Sequence, residues 1–381
     1  MKTGEQRSAR TQPVVTPRYD VTVSGTHPTP EHEILIADTG LAALVTAGLL
    51  DRAGFDPLVA SSPIDRSPPR VTVIWEPGLR ILERLGLRTS VERRGTRVTE
   101  LERAGSEKSW EADASSEIAL VAVGRDQLQA LLDQAVRSRT RVTDRVVTEF
   151  ESATSGVRAT FDHEGTESFD VAVTADRSLS ADHAPESDGR VHTWECYEFE
   201  TRAKATESWG ASAAAFAIPT GDSTSLRLVT TAETPARAAV SADDVADRFS
   251  HLDPSTADLK RALRDSGFEY RRVRLAAPAF VATGRIGLVG PAARPALPGT
   301  HLGPSTDIET AWALATAIAN ASGMKEALSA YERRRRELSA RFRAQLDDQH
   351  MSDPMLSPEF RLLFSARRLA FSQVTGDLPF N

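Results

Sequence analysis

The sequence predicts an α/β fold: a parallel-sheet domain with an antiparallel-sheet domain inserted into it, closed by C-terminal helices. Three observations predict it. A strand–turn–helix–strand run occupies Glu33 to Ala60. A central section alternates apolar and polar residues in short runs from Arg139 to Thr174 and continues in strand-like segments from Val191 to Thr231. A late apolar strand, Arg285 to Gly290, is followed by a Pro/Gly-rich loop and then by helical periodicity.

Taken in order, residues 1–30 are rich in Thr, Pro, Arg and Ser and read as a mobile leader, with one short strand at Tyr19 to Val23. Glu33–Ala37 (EILIA) suits a buried parallel strand. Leu41–Ala53 reads as an apolar helix ending at Gly54, and Pro57–Ala60 as a second strand, which together make a βαβ unit. Pro77–Leu87 and the stripe Leu128, Leu131, Leu132, Ala135, Val136 carry helical spacing. Arg139–Thr174 reads as antiparallel strands, and strand-like segments continue from Val191 to Thr231. A helix is expected from about Asp307 to Asn320, with further helices from Met324 onward.

Composition narrows the function. The chain has 381 residues, 40% of them hydrophobic and 26% charged, as in globular domains. No apolar run approaches the roughly 18 residues of a membrane-spanning helix, and no secretory h-region is seen, so the cytoplasm is the expected location. A net charge of −7 argues against nonspecific nucleic-acid binding. Cys196 is the single cysteine, which excludes an internal disulfide; it reads as a packed thiol. The eight histidines show no metal-ligand spacing, and no phosphate loop or nucleophile elbow is present. No metal site is expected.

The turn between the first strand and helix carries the most chemistry. A dinucleotide-binding turn needs small residues for the bend, for close approach of the pyrophosphate and for helix packing. On that spacing the positions are Asp38, Gly40 and Ala43. Asp38 puts a carboxylate where a phosphate approaches, and Ser61 stands where a ribose-binding acid is expected. By itself the turn is open to two readings, a cofactor site or a structural βαβ unit without ligand.

Three further segments follow in register. Gly124–Leu128 (GRDQL) is similar to an R-x-x-L segment, Asp170–Arg177 (DVAVTADR) to DLVVGADG, and Gly284–Ala311 to GRV-x-LxGDAAH-x-x-x-P-x-x-GQG-x-N-x-x-IEDA. Together, from Ile34 to about Tyr331, they resemble the FAD-dependent monooxygenases and oxidoreductases of the para-hydroxybenzoate hydroxylase type. That resemblance implies a Rossmann-like FAD/NAD(P)-binding domain over 31–185 and 280–345, with an excursion near 65–120. It also implies a sheet-rich substrate domain over 186–279 and a helical tail over 346–381.

Carried over residue by residue, the resemblance places Gly40, Ala43, Ser61, Arg125, Asp176, Gly290, Pro298 and Gly303 at FAD. Arg125 reads equally as a surface arginine at a helix start. The family's ribityl-holding aspartate is Pro291 here. Arg294, Leu302 and Ser305 replace the motif's histidine, glutamine and asparagine, and Thr174 and Arg177 replace glycines. The implied activity is oxygenation of a small organic substrate, with NAD(P)H as reductant and O₂ as oxidant. The competing reading is a non-catalytic descendant of the fold that binds or scaffolds without FAD.

His301, in the Pro/Gly loop, is the best-placed histidine for proton transfer, and reads otherwise as an exposed loop residue. Arg333–Arg336 reads as a solvated helix face, and FRLLFSARRLAF as a segment docking on its own domain, with peripheral membrane contact as the alternative. Trp312 reads as core. Trp194 and Tyr197 read either as substrate-pocket lining or as strand packing.

Overall fold

The computed structural model describes residues 32–61, 71–103, 109–111, 120–163, 165–176, 179, 190–199, 204–209, 213–230, 241–252, 256–274, 280–293 and 303–347. All four residues of β1 (Ile34–Ala37) are buried, as a strand with parallel neighbours on both sides requires. It pairs in parallel with β2 (Leu58–Ser61) and with β11 (Val171–Thr174), and β11 pairs in parallel with β18 (Ile286–Leu288). Helix α1 (Leu41–Arg52) makes the crossover from β1 to β2. With β8 (Arg141–Ser152), β9 (Val157–Phe161), β10 (Gly165–Phe169) and β17 (Ala282–Thr283), these strands form an eight-stranded sheet. Its order is β10–β9–β8–β2–β1–β11–β18–β17.

The antiparallel expectation for Arg139–Thr174 holds among β8, β9 and β10 and fails at two places. β8 runs parallel to β2, and β11 enters the parallel core. The alternation comes from the half-exposed strands, whereas β11 is four buried residues with none. The helix expected over Pro77–Leu87 is also divided. α2 (Glu76–Arg84) stops before Gly86, whose φ of +74° turns the chain into α3 (Arg88–Arg94).

Two smaller sheets complete the fold. β3 (Val71–Trp75), β7 (Leu120–Gly124) and β4 (Thr96–Val98) form an antiparallel trio. The seven-stranded sheet runs β16 (Glu269–Arg274), β12 (Arg190–Phe199), β15 (Thr224–Thr230), β14 (Ala213–Pro219), β13 (Ala205–Trp209), β5 (Glu100–Arg103) and β6 (Ser109–Glu111). All its pairings are antiparallel except β13–β5, which sets Ala205 beside Leu101.

One face of that sheet carries Trp194, Cys196, Leu226 and Leu228 against α5 (Ala242–Phe249) and α6 (Thr256–Asp265). Reading the region as strands alone misses both helices. A local signal was present, because Ser241 and Asp244 form a reciprocal capping box at the start of α5. Cys196 is buried, its thiol pushed up in pKa by that burial, in keeping with the packed reading.

The last helices are α7 (Gly303–Asn320), which begins four residues before the expected Asp307, and α8 (Met324–Asp347). Among the described residues no helix is long and apolar enough to cross a membrane. Tyr19–Val23 and FRLLFSARRLAF lie outside the described residues.

Candidate functional site

β2, β1, β11 and β18 are consecutive in the eight-stranded sheet and run parallel. Their C-terminal ends therefore deliver Ser61, Asp38, Asp176 and Gly290 to one edge, where open α/β sheets place their ligands. Helix α1 starts at the same edge. Its N-cap, Gly40, has no side-chain capping bond, and the first turn holds no acidic residue. Asp38 reaches over this turn and accepts the Gly40 N–H on Oδ1. The N–H groups of Thr39 and Ala175 also bear on its carboxylate. Asp38 is only 4% exposed. Burial lifts its carboxyl to about 6; Asp176 adds repulsion, and the backbone donors oppose the rise.

The other sequence-selected positions are distributed around this edge. Ala43 is fully buried in α1. Gly290 sits at φ +59°, and a Cβ there would lie 2.8 Å from the Cβ of Ala42, so only glycine suits this close passage. Its N–H donates to Thr310 Oγ1 at 2.7 Å. Pro291 follows in a short 3₁₀ turn, Gly290–Ala292, with its side chain exposed.

Ser61 Oγ donates to the Thr143 carbonyl at 3.4 Å, a bond to the neighbouring strand. Arg125 is half-buried at the first residue of α4 (Arg125–Arg137). One turn later Gln129, which sequence reading did not select, donates to the Thr39 carbonyl and ties α4 to the α1 turn. Gly303 is buried at the start of α7. Pro298 and His301 lie outside the described residues, as do Arg177, Arg294 and Leu302.

The start of α7 is fastened to β3 by buried polar groups. Ser305 Oγ accepts the Trp75 N–H at 3.0 Å and donates to the Val73 carbonyl at 3.1 Å. Trp75 Nε1 donates to Glu309 at 2.8 Å. Burial lifts the Glu309 carboxyl to about 7, against the pull of Arg335 on α8 and of the indole donor. Arg335 is buried, so the arginine run is not uniformly solvated; Arg336 keeps the expected role, exposed and paired with Glu332. Helical geometry explains the difference, because adjacent residues point about 100° apart.

The seven-stranded sheet has a second buried face, opposite α5 and α6. Register places Thr193 and Glu195 of β12 beside Val229 and Arg227 of β15, with Phe216 and Ile218 on β14. All six are buried. Glu195 and Arg227 pair at 2.8 Å with side chains each 6% exposed. Trp194 points to the helix side and packs edge-on against Phe249, so it is strand packing and not part of this face. The Tyr197 side chain lies outside the described residues. Trp312 is partly buried against the main core. Among the described residues no three His, Cys, Asp or Glu side chains gather as a metal site would need.

Three solved structures share this architecture. HpxO of Klebsiella pneumoniae, complexed with FAD and uric acid, matches with a TM-score of 0.69 at 19% identity over 92% of this chain and 99% of its own. PqsL of Pseudomonas aeruginosa, in complex with 2-aminobenzoylacetate, matches with a TM-score of 0.70 at 17% identity, covering 86% and 99%. The tetracycline destructase Tet(55) matches with 0.65 at 15%, covering 93% and 99%. The chain has the fold of the FAD-dependent monooxygenases. No family model matches the sequence, and neither does any curated protein.

Within the flavin-monooxygenase fold, the residues at the strand edge can be tested against FAD. A pyrophosphate at the α1 N-terminus would meet the Asp38 carboxylate, with Asp176 beside it. Proline has no N–H to give a phosphate, and its side chain cannot accept from a ribityl hydroxyl. Ser61 offers one hydroxyl, already directed at Thr143, where a carboxylate would accept twice. These residues do not fit FAD as the resemblance would have it held.

Proposed function

We propose that this chain is a small-molecule-binding protein on the flavin-monooxygenase fold that does not hold FAD in the manner of those enzymes. The turn after β18 carries the reading. Pro291 there removes an N–H and an acceptor at one step, in a segment whose backbone is otherwise kept by Gly290. Hydrogen bonds to charged groups contribute about 1.5–3 kcal/mol each. Losing two or three of them weakens a cofactor by several orders of magnitude.

The ligand is a small organic molecule. Uric acid in the HpxO complex and 2-aminobenzoylacetate in the PqsL complex are of that kind.

The second reading is an FAD-dependent oxidoreductase using NAD(P)H and O₂. One observation favours it: Gly290 keeps the left-handed turn and tight approach to Ala42 that a bound dinucleotide exploits. Visible absorbance of the purified protein separates the two. The expected result is a colourless protein that fails to retain added FAD on gel filtration. A yellow protein with the bands of oxidised flavin would overturn the first reading in favour of the second.

A further inference from the structure

Where a strand runs into a helix at a phosphate site, the first N–H groups of the helix are left open to the ligand. Here one of those groups, the Gly40 N–H at the N-cap of α1, already has a partner inside the chain. Asp38 directly follows β1, and its carboxylate takes the Gly40 N–H while Thr39 and Ala175 direct theirs at the same group. Two separate elements, the α1 turn and the end of β11, thus converge on one anion. Gln129 holds the turn from the other side through the Thr39 carbonyl. The carboxylate is almost fully buried, and among the described residues the first turn of α1 has no acid of its own and no side-chain cap. The helix dipole favours a negative charge at this place.

We propose that Asp38 is an internal surrogate for phosphate: its carboxylate occupies the anion cradle at the α1 N-terminus, so the edge is closed to pyrophosphate by being filled. The donors that would greet a phosphate are intact. This inference rests on the non-flavin reading above and gives it a physical cause, yet the two fail separately.

The consequence is that taking away the carboxylate opens an anion site. The probe is inorganic pyrophosphate, followed by calorimetry, with hydrogen exchange at the Gly40 amide as the readout of the cradle itself. In the full-length wild-type chain the Gly40 amide exchanges slowly and pyrophosphate binds weakly. In Asp38→Gly the amide exchanges at least tenfold faster, pyrophosphate binds at least tenfold more tightly, and adding it slows the exchange again. Asp38→Asn keeps a side-chain acceptor, so its Gly40 amide stays protected. This third chain keeps the test alive if Asp38→Gly does not fold.

Equal Gly40 exchange in the wild type and Asp38→Gly, or wild-type pyrophosphate binding as tight as the variant's, overturns the proposal. So does an unprotected Gly40 amide in both the wild type and Asp38→Asn. A colourless wild type whose Gly40 exchange and pyrophosphate binding are unchanged in Asp38→Gly would leave the non-flavin reading standing and remove Asp38 as its cause, whereas a wild type that retains FAD would sink both.

Discussion

At the ends of β1 and β11, Asp38 and Asp176 lie close enough to repel, and among the described residues the donors to the buried Asp38 are backbone N–H groups. On the inner face of the seven-stranded sheet, Glu195 is equally buried but faces Arg227 at 2.8 Å. The two regions meet the cost of removing a carboxylate from water in different ways. In the first, dipoles and a raised proton affinity moderate the charge. In the second, an opposite charge neutralises it. Burial alone therefore does not tell how a polar group behaves in this molecule; its partners do.

The comparison is most exposed to failure at the ion pair. Arg227→Ala leaves Glu195 buried without its counter-charge, and the expected loss is about 3–5 kcal/mol in urea unfolding. Replacing both partners with apolar residues of similar size should recover most of that loss. A single variant as stable as the parent would mean the pair is not held as described.

The strand edge is tested by pH. Asp38 titrates at about 6 in the folded chain against a reference of 3.8, so the folded state keeps the proton longer than the unfolded one. Stability must then fall as pH rises from about 4 to 6, the reverse of a salt-bridged carboxylate, and level off above it. Asp38→Asn has no such titration. It should flatten this part of the pH profile and be more stable at pH 7–8 by about 2–3 kcal/mol. A parent profile unchanged by the substitution counts against the buried, proton-holding Asp38.

Between the two regions, Ser305→Ala strands the Trp75 N–H and the Val73 carbonyl, for an expected cost of about 1–3 kcal/mol by thermal unfolding. The smallest effect is expected at Arg336→Ala. That exposed helix-surface pair with Glu332 should change stability by about 0.5 kcal/mol or less. It sets the scale against which the buried pairs are read.

The parallel core was legible in the sequence wherever an element satisfies itself locally. The apolar run of β1, the length of α1 and the glycine at position 290 each point to one conformation, and the fold follows. Elements whose identity is set by distant partners were not legible. β11 lacks the alternation of the strands before it, and its parallel direction is set only by β1 and β18, which flank it. Helices α5 and α6 are short, and beyond the Ser241–Asp244 cap of α5 their apolar stripe has meaning only beneath Trp194 and Leu228.

The site divides on the same line. Asp38 and Pro291 were visible as departures, and Gly40 as a match, at known spacings, because sequence distance fixes their place in a turn. That Asp38 bends back onto the Gly40 N–H, that Gln129 reaches Thr39, and that Arg227 meets Glu195 depend on side-chain direction. No spacing reveals it.

β5 has a consequence for how the chain is made. It comes from a segment ending at Arg103, yet its parallel partner β13 lies about a hundred residues later, with β7, β8 and β11 formed from the chain between them. During synthesis β5 can pair with β6 as soon as that strand follows, but its other edge must wait for β13 until the chain between them has emerged, and such non-local pairing is slow to form. Excising residues 186–279 as a separate piece would strip β13 of its neighbour and bare a row of strand-edge donors and acceptors, a surface that invites chain-to-chain pairing. The two sheets share one biosynthetic fate, and a fragment cut along the apparent domain boundary is expected to aggregate.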